Sequence, residues 1–380
     1  MKFLLIYVPN LRFSYKGDWS KRKLNEICHF FKGNGLSKSD LSNEGFPCIL
    51  YGELYTTYKN EVISDIISKT NTTLSNPFLS RNNDLIIPGS GEDPIDIAVA
   101  RAIYQNDIIL GGDLNILRPK SNVSAAFLSY QLNGVRRYDI AKKAQGKSIV
   151  HLHNSDLKEV LVSIPSCDEQ LYIVKLLTKI DEMIETQSKI IDDYNSLKMG
   201  IYNCMFKENY ADYKLKQLAY IVKGDQINND QLLSNGSYYM MNGGASPSGY
   251  LDSYNVSENT ISISEGGNSC GYVQFNSSPF WSGGHCYTIQ NVNSALIENK
   301  YLYHYLKYKE KEIMNLRIGT GLPNIQKKDL ENFTILVPSL LIQRKNLALF
   351  EMLDEKISIL NEELANLQKQ KKYLLCNMFI

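Results

Sequence analysis

The sequence predicts an α+β chain: two mixed α/β lobes joined by two long helices that pair as an antiparallel coiled coil, with a pseudo-twofold internal repeat. Three observations predict it. Residues 148–206 lie over residues 321–379 without a gap, so that Met205-Phe206 returns as Met378-Phe379. Both copies carry apolar side chains in alternating steps of four and three residues. A second repeat sets KLNEICHFFKG (23–33) over KLKQLAYIVKG (214–224).

The first repeat is anchored by matched residues in order. Asp156-Leu157 falls on Asp329-Leu330, Pro165-Ser166 on Pro338-Ser339 and Gln170 on Gln343. Asp181-Glu182 falls on Asp354-Glu355, Ile184 on Ile357 and Lys198 on Lys371. The stepped positions include Ile180, Ile184 and Ile191 in the first copy, and Leu353, Ile357 and Leu364 in the second. Such spacing is the seam of a coiled coil, in which each side chain fills a hole on a facing helix. Each helix is expected to start just after its Pro-Ser pair, where Ser can cap the first free N–H groups. At about 1.5 Å per residue each would be about 55 Å long. A helix of that length with one apolar stripe needs a partner, and the other copy is the nearest. Only Gly200 interrupts either run.

The second repeat flanks the helices, so the chain reads as lobe, helix, lobe, helix: 1–147, 148–207, 208–320 and 321–380. An antiparallel pairing would put the lobes at opposite ends of a rod. In the first lobe CILYGELYTTY (48–58), DLIIPG (84–89) and DIAVARAIY (96–104) read as strands between turn signals. In the second, YYMMNGGASPSGYLD, TISISEGGNSCGYVQF and FWSGGHCYTIQ read as short strands separated by Gly, Ser and Asn turns. AAFLSYQLNGVRRYDIAKKA and ENKYLYHYLKYKEKEIMNL are helical stretches near the lobe ends.

Composition narrows the class. With 380 residues, 43% of them hydrophobic, more than one core can form. Lys and Arg total 41 against 40 Asp and Glu, so no strongly basic footprint exists. Seven cysteines without regular spacing point to a reducing cytoplasm. The FLLIYV run at the start is too short to span a bilayer and lacks a small-residue cleavage site, so a strand or ordered tail is expected there.

Several strings imitate catalytic motifs. GKS (146–148) lacks the upstream glycine of a phosphate-binding loop, because Ala141 stands at that position. NPF (76–78) lacks the second proline of the adenine-methyltransferase motif. Cys270, His285 and Cys286 lack paired Cys-x-x-Cys spacing, so core and loop roles are the better reading and no metal is expected. No catalytic residue is assigned.

Binding remains. Arg136, Arg137, Lys142, Lys143 and Lys147 face one acid, Asp139, within RRYDIAKKAQGK. The matching turn of the second lobe, RIGTGLPNIQKK, carries Arg317, Lys327 and Lys328. Such clusters neutralise phosphates. Loop side chains that can read base edges are Tyr51, Glu53, Tyr55 and Gln145 in the first lobe. Asn242, Ser246, Tyr250, Asn268, Thr320 and Asn324 serve the second.

The lobe–helix–lobe–helix plan resembles the specificity subunit of type I restriction-modification systems. So do the Pro-Ser…Gln helix starts, the Asp-Glu-x-Ile register, the Lys…Met-Phe helix ends and the VPNLRF…W…KL opening. The likeness covers essentially the whole chain. It implies that each lobe reads one half of a split, asymmetric double-stranded DNA target while the helices set the gap. It implies no catalysis or cofactor in this chain. Two DNA adenine methyltransferase subunits and the motor-nuclease restriction subunits would dock on it and carry S-adenosylmethionine, ATP and Mg. A non-enzymatic coiled-coil scaffold binding protein or glycan is the rival reading. Lys198 and Lys371 stand at seam positions, where a polar residue specifies register at some cost in stability.

Overall fold

The computed structural model describes residues 9–380 except Lys16, residues 207–209, Thr320 and Leu322, so the FLLIYV run lies outside the described residues. The chain forms two compact units, residues up to 188 together with 362–380, and residues 189–361. Four helices organise them: α1 (Ala125–Asn133), α2 (Cys167–Met205), α3 (Asn299–Tyr308) and α4 (Leu340–Asn377). The long helices α2 and α4 start directly after Ser166 and Ser339. The Ser166 hydroxyl accepts a hydrogen bond from the Glu169 N–H, which supplies the expected cap. Each long helix begins in one unit and ends in the other, so each unit contains one helix start and one helix end.

Within the first unit Gln187 bonds Glu363 and Lys371 pairs with Asp181. Within the second, Lys198 pairs with Asp354 and Tyr202 packs edge-on against Phe350 at 4.8 Å. In both, later residues of α2 meet earlier residues of α4, so the paired segments run antiparallel. Ile180, Ile191 and Leu353 are buried along this seam, and Ile184, Ile357 and Leu364 are half-buried. The two seam lysines thus have one role in two copies: each reaches the aspartate of the opposite helix. Lys371 also lies 2.6 Å from Glu61. Burial works against its charge, but Glu61 and Asp181 outweigh burial and its pKa is raised.

The repeat extends to single hydrogen bonds. Ser20–Lys23 pairs antiparallel with Leu161–Ile164, and Ala211–Lys214 with Thr334–Val337 in the same register. Gln170 Oε1 accepts from the Ser124 N–H at the start of α1, while its Nε2 donates to the Asn122 and Pro165 carbonyls. Gln343 likewise accepts from the Glu298 N–H at the start of α3 and donates to the Leu296 and Pro338 carbonyls. A buried amide that satisfies three backbone groups cannot be replaced by an apolar side chain without orphaning them. Each glutamine therefore locks its lobe helix to its long helix. These anchors align Ser124 with Glu298, and hence Phe127 with Tyr301, Tyr130 with His304 and Gly134 with Tyr308.

The Met-Phe helix ends explain their own recurrence. Phe379 is buried against Phe127 (5.3 Å) and Trp19 (6.4 Å) in the first core. Phe206 is buried against Tyr301 (5.5 Å), Tyr305 (5.1 Å) and Phe350 (5.7 Å) in the second. Each phenylalanine plugs the core where the other long helix starts.

Three stretches differ from the sequence expectation. The strand in 48–58 stops at Ile49, because the Glu53 carboxylate accepts from the Leu50 N–H and the Ser68 hydroxyl and folds the chain into a helical turn, Glu53–Thr56. In 96–104 the turn Pro94–Ile97 is helical, capped by Asp93, and only Arg101–Ile103 is strand. The helical stretch 125–144 breaks at Gly134 into α1 and a short turn, Arg137–Ala141.

His304 is buried on α3 and its Nδ1 lies 2.8 Å from the Tyr202 hydroxyl, with Asp354 and Lys198 nearby. Burial lowers its pKa from 6.5 to about 4, only partly opposed by Asp354. The native state therefore binds fewer protons than the unfolded chain between those values, and stability falls as pH falls through that window. From pH 7 to pH 5 the second unit should lose about 2 kcal/mol through this residue. Urea unfolding at the two pH values checks it, and His304→Tyr, which installs the residue of the first lobe, should remove that part of the slope.

Candidate nucleic-acid interface

Each lobe gathers its loops at one edge, and the two edges are built alike. In the first, a five-stranded sheet (Cys28–Lys32, Leu114–Pro119, Asp84–Pro88, Arg101–Ile103, Val62–Ile63) abuts a four-stranded one that includes Ile109–Leu110 and Phe46–Ile49. The Gly33 N–H donates to the Leu114 carbonyl, Gly111 to Ile49 and Gly89 to Asp113. In the second, a four-stranded sheet (Tyr220–Lys223, Cys286–Gln290, Thr260–Ser264, Val273–Asn276) abuts a three-stranded one. There the Gly224 N–H donates to Cys286, Gly283 to Met241 and Glu265 to His285. The same three joints recur.

Two of the three joints carry glycine in both lobes, whereas Gly89 is matched by Glu265 at the third. A Cβ on Gly33 would stand 2.0 Å from the Gly111 carbonyl oxygen, and one on Gly224 would stand 2.3 Å from that of Ser282. Backbone approaches this close fix the loops of each rim and leave no room for a side chain at those glycines. The rim is completed by a hairpin. Gln145–Gly146 pairs with Val150–His151, which pairs with Ser90–Gly91. Its counterpart is formed by the bridges of Asn324 to Ile318 and to Gly266.

The sequence-derived residues divide against this frame. In the first lobe Lys142, Gln145 and Lys147 are exposed on or before the hairpin, and Lys143 is half-buried. Tyr51 is half-buried after its strand, and a Cβ on Gly91 would stand 3.5 Å from the Tyr55 hydroxyl. In the second lobe Ser246, Tyr250, Asn268, Arg317 and Asn324 are exposed; Asn242 is half-buried, its Oδ1 accepting from the His285 N–H. Thr320 lies outside the described residues. Three positions are engaged elsewhere. Glu53 closes its turn, Arg136 pairs with Asp139 and donates to the Ile380 carbonyl, and Arg137 donates to the Ile95 carbonyl. The basic cluster is thus two structural arginines followed by a lysine-bearing loop.

The imitation motifs also find places. Phe78 of NPF packs on Phe31 at 5.5 Å, and its N–H donates to Asn34. Arg118, bonded through two nitrogens to Asp84, lies over both rings. Cys270 and Cys286 are buried with thiols on backbone carbonyls, and burial pushes Cys286 up to about 11. Among the described residues no group of three or more His, Cys, Asp or Glu is placed to hold a metal ion. His285 belongs instead to the rim, exposed, with Nδ1 3.5 Å from Glu265, which also binds Lys223 and Tyr287. Sequence reasoning missed this loop, although LGGD (110–113) and SGGH (282–285) repeat its double glycine.

Residues 16–193 and 207–369 match the type I restriction modification DNA specificity domain, and the chain belongs to that family. It is similar to a type I specificity subunit of Mycoplasma pneumoniae, 34% identical over 155 residues that span 40% of this chain and 41% of that relative. It is also similar to the type I restriction enzyme MjaX specificity subunit of Methanocaldococcus jannaschii, 23% identical over 94% of this chain and 92% of that one. Among solved structures, the crystal structure of a type I restriction-modification S subunit from M. genitalium shares the fold. Its TM-score is 0.69 at 20% identity, covering 98% of this chain and 99% of that one.

Proposed function

We propose that this chain is the DNA-reading subunit of a type I restriction-modification complex. Each lobe takes one half of a split, asymmetric double-stranded target, and the chain positions adenine methyltransferase and restriction subunits around it. The observation that carries this reading is the loop rim that occurs twice, joint for joint, in lobes whose side chains on that rim differ. Duplicated scaffolding with divergent polar side chains is what two independent base-reading surfaces require. Chemistry, with S-adenosylmethionine, ATP and Mg, falls to the partner subunits in the cytoplasm. Among the described residues no helix is long and apolar enough to cross a membrane.

Charge supports shared DNA binding. Residues 208–320 hold eight Lys and Arg against ten Asp and Glu, a net −2, so partners must supply much of the phosphate neutralisation. Two variants test the division of labour in the assembled methyltransferase. Asn268→Ala should alter or relax the methylated sequence in one half-site only, at about 1–3 kcal/mol for a base contact. Lys147→Ala should weaken binding about equally across sequences and reduce the salt dependence by about one ion. An Asn268→Ala complex whose motif changes in both halves would contradict independent lobes.

A further inference from the structure

The two units fill the same junction differently. In the second, where Lys198 meets Asp354, aromatic rings close the space: Tyr202 lies 5.8 Å from Tyr308, 6.1 Å from His304 and 4.8 Å from Phe350. In the first, where Lys371 meets Asp181, the repeat puts Leu375 at the place of Tyr202 and Gly134 at that of Tyr308. Two rings are thereby missing, and a cavity of about 590 Å³ opens between Gly134, Leu375 and the neighbouring strand ends. That volume lies in the range of small-molecule sites.

The cavity carries an excess of positive charge. Its acids, Glu61 and Asp181, are both taken by Lys371. Lys59, Arg101, Arg137 and Lys372 also line it. Arg101 is the notable one, because only 6% of it is exposed. Its Nε donates to the Leu54 carbonyl, and among the described residues no carboxylate stands within ion-pair distance of its guanidinium. Burial holds its pKa below the ordinary value, with Glu61 opposing. A buried guanidinium whose neighbouring carboxylates are already held by a lysine is costly, and a bound anion would offset that cost. The second unit again provides the contrast. Arg101 stands opposite Ile86, and at the same register Gln274 stands opposite Ser262. The unit with the plugged junction has a neutral residue where the unit with the open one has arginine.

We propose that this cavity binds the phosphate group of a small molecule, with Arg101 as its buried anchor. Planar guanidinium donors and several lysines converging from different elements suit a multiply charged oxyanion better than a single carboxylate. Val99, Ile184 and Leu375 add an apolar wall for the rest of the ligand. The inference concerns the first unit alone and does not depend on DNA reading.

The test uses the full chain, melted in chloride buffer of fixed ionic strength with millimolar inorganic phosphate or adenosine monophosphate. The chain has two tryptophans, Trp19 in the first unit and Trp281 in the second, and each reports its own unit. Either probe should raise the transition reported by Trp19 and leave that of Trp281 unchanged. A larger shift with the nucleotide assigns the ligand as a phosphate ester, and equal shifts assign free phosphate. Arg101→Gln, which copies Gln274, and Leu375→Tyr, which copies Tyr202 and fills the space, should each abolish the shift. Leu375→Tyr retains the arginine, so it decides the matter if Arg101→Gln does not fold. No shift in the wild-type chain, or a shift that persists in either variant, overturns the proposal.

Discussion

Leu353→Asp should destabilise the second unit by about 4 kcal/mol or more, the range reached when an unpaired charge is buried. Leu353 is only 6% exposed on the seam of α4. The new carboxylate would lie beside Asp354, which Lys198 already engages across the seam. At this buried position the carboxylate would lose its water and be repelled by that of Asp354, so the helix segments part. Urea unfolding followed by Trp281 fluorescence measures the loss. Leu353→Ala is the graded control at about 2–5 kcal/mol, since it removes packing without adding charge. An aspartate variant no less stable than the alanine variant would mean that the seam is open to water. Under the proposed reading, the gap between methylated half-sites would also cease to be fixed in the aspartate variant.

The second large effect is expected at a helix end. Phe379→Ala should cost the first unit about 3–5 kcal/mol, because the ring is buried and a cavity remains where it stood. The edge and tilted contacts with Trp19 and Phe127 add to the loss. Trp19 fluorescence should shift in the native state as well, since the lost ring borders it. Phe206→Ala should reproduce the loss in the second unit, read by Trp281, and leave the Trp19 transition in place. A Phe379→Ala variant that unfolds at the wild-type urea concentration would show that the recurring Met-Phe pair does not plug the cores.

The fold was largely legible because the chain states it twice. Gln170 and Gln343, Asp181 and Asp354, Lys198 and Lys371, and Phe206 and Phe379 recur at one spacing, and each recurrent pair has one structural duty in two copies. What could not be read was which polar side chains the fold consumes. Glu53 and Tyr55 are two residues apart in one short turn, yet the carboxylate closes that turn and the tyrosine hydroxyl faces the glycine loops. Arg136 and Arg137 share a string with Lys142 and Lys147, but the arginines reach carbonyls of distant residues, Ile380 and Ile95, that no local pattern reveals. The loop rim is set by backbone contacts. Its mark in the sequence is glycine in matched pairs, a signal that belongs equally to turns until the carbonyl contacts of Gly33 and Gly224 are seen.

The offset between the two repeats also hid the asymmetry of the junctions. Tyr202 and Leu375 match in register, but Tyr308 and Gly134 correspond only through the glutamine anchors of α1 and α3. The aromatic plug of one unit and the open, arginine-lined cavity of the other follow from that second correspondence.

Under the proposed reading, this chain dictates a split DNA target to a methyltransferase. The most direct test is methylation-sensitive sequencing of DNA from cells that express a modification methyltransferase of a type I system, encoded beside this chain, with and without the chain. A bipartite adenine motif that appears only with the chain is the predicted result. An identical methylome in both cultures, with both proteins present and folded, would contradict it.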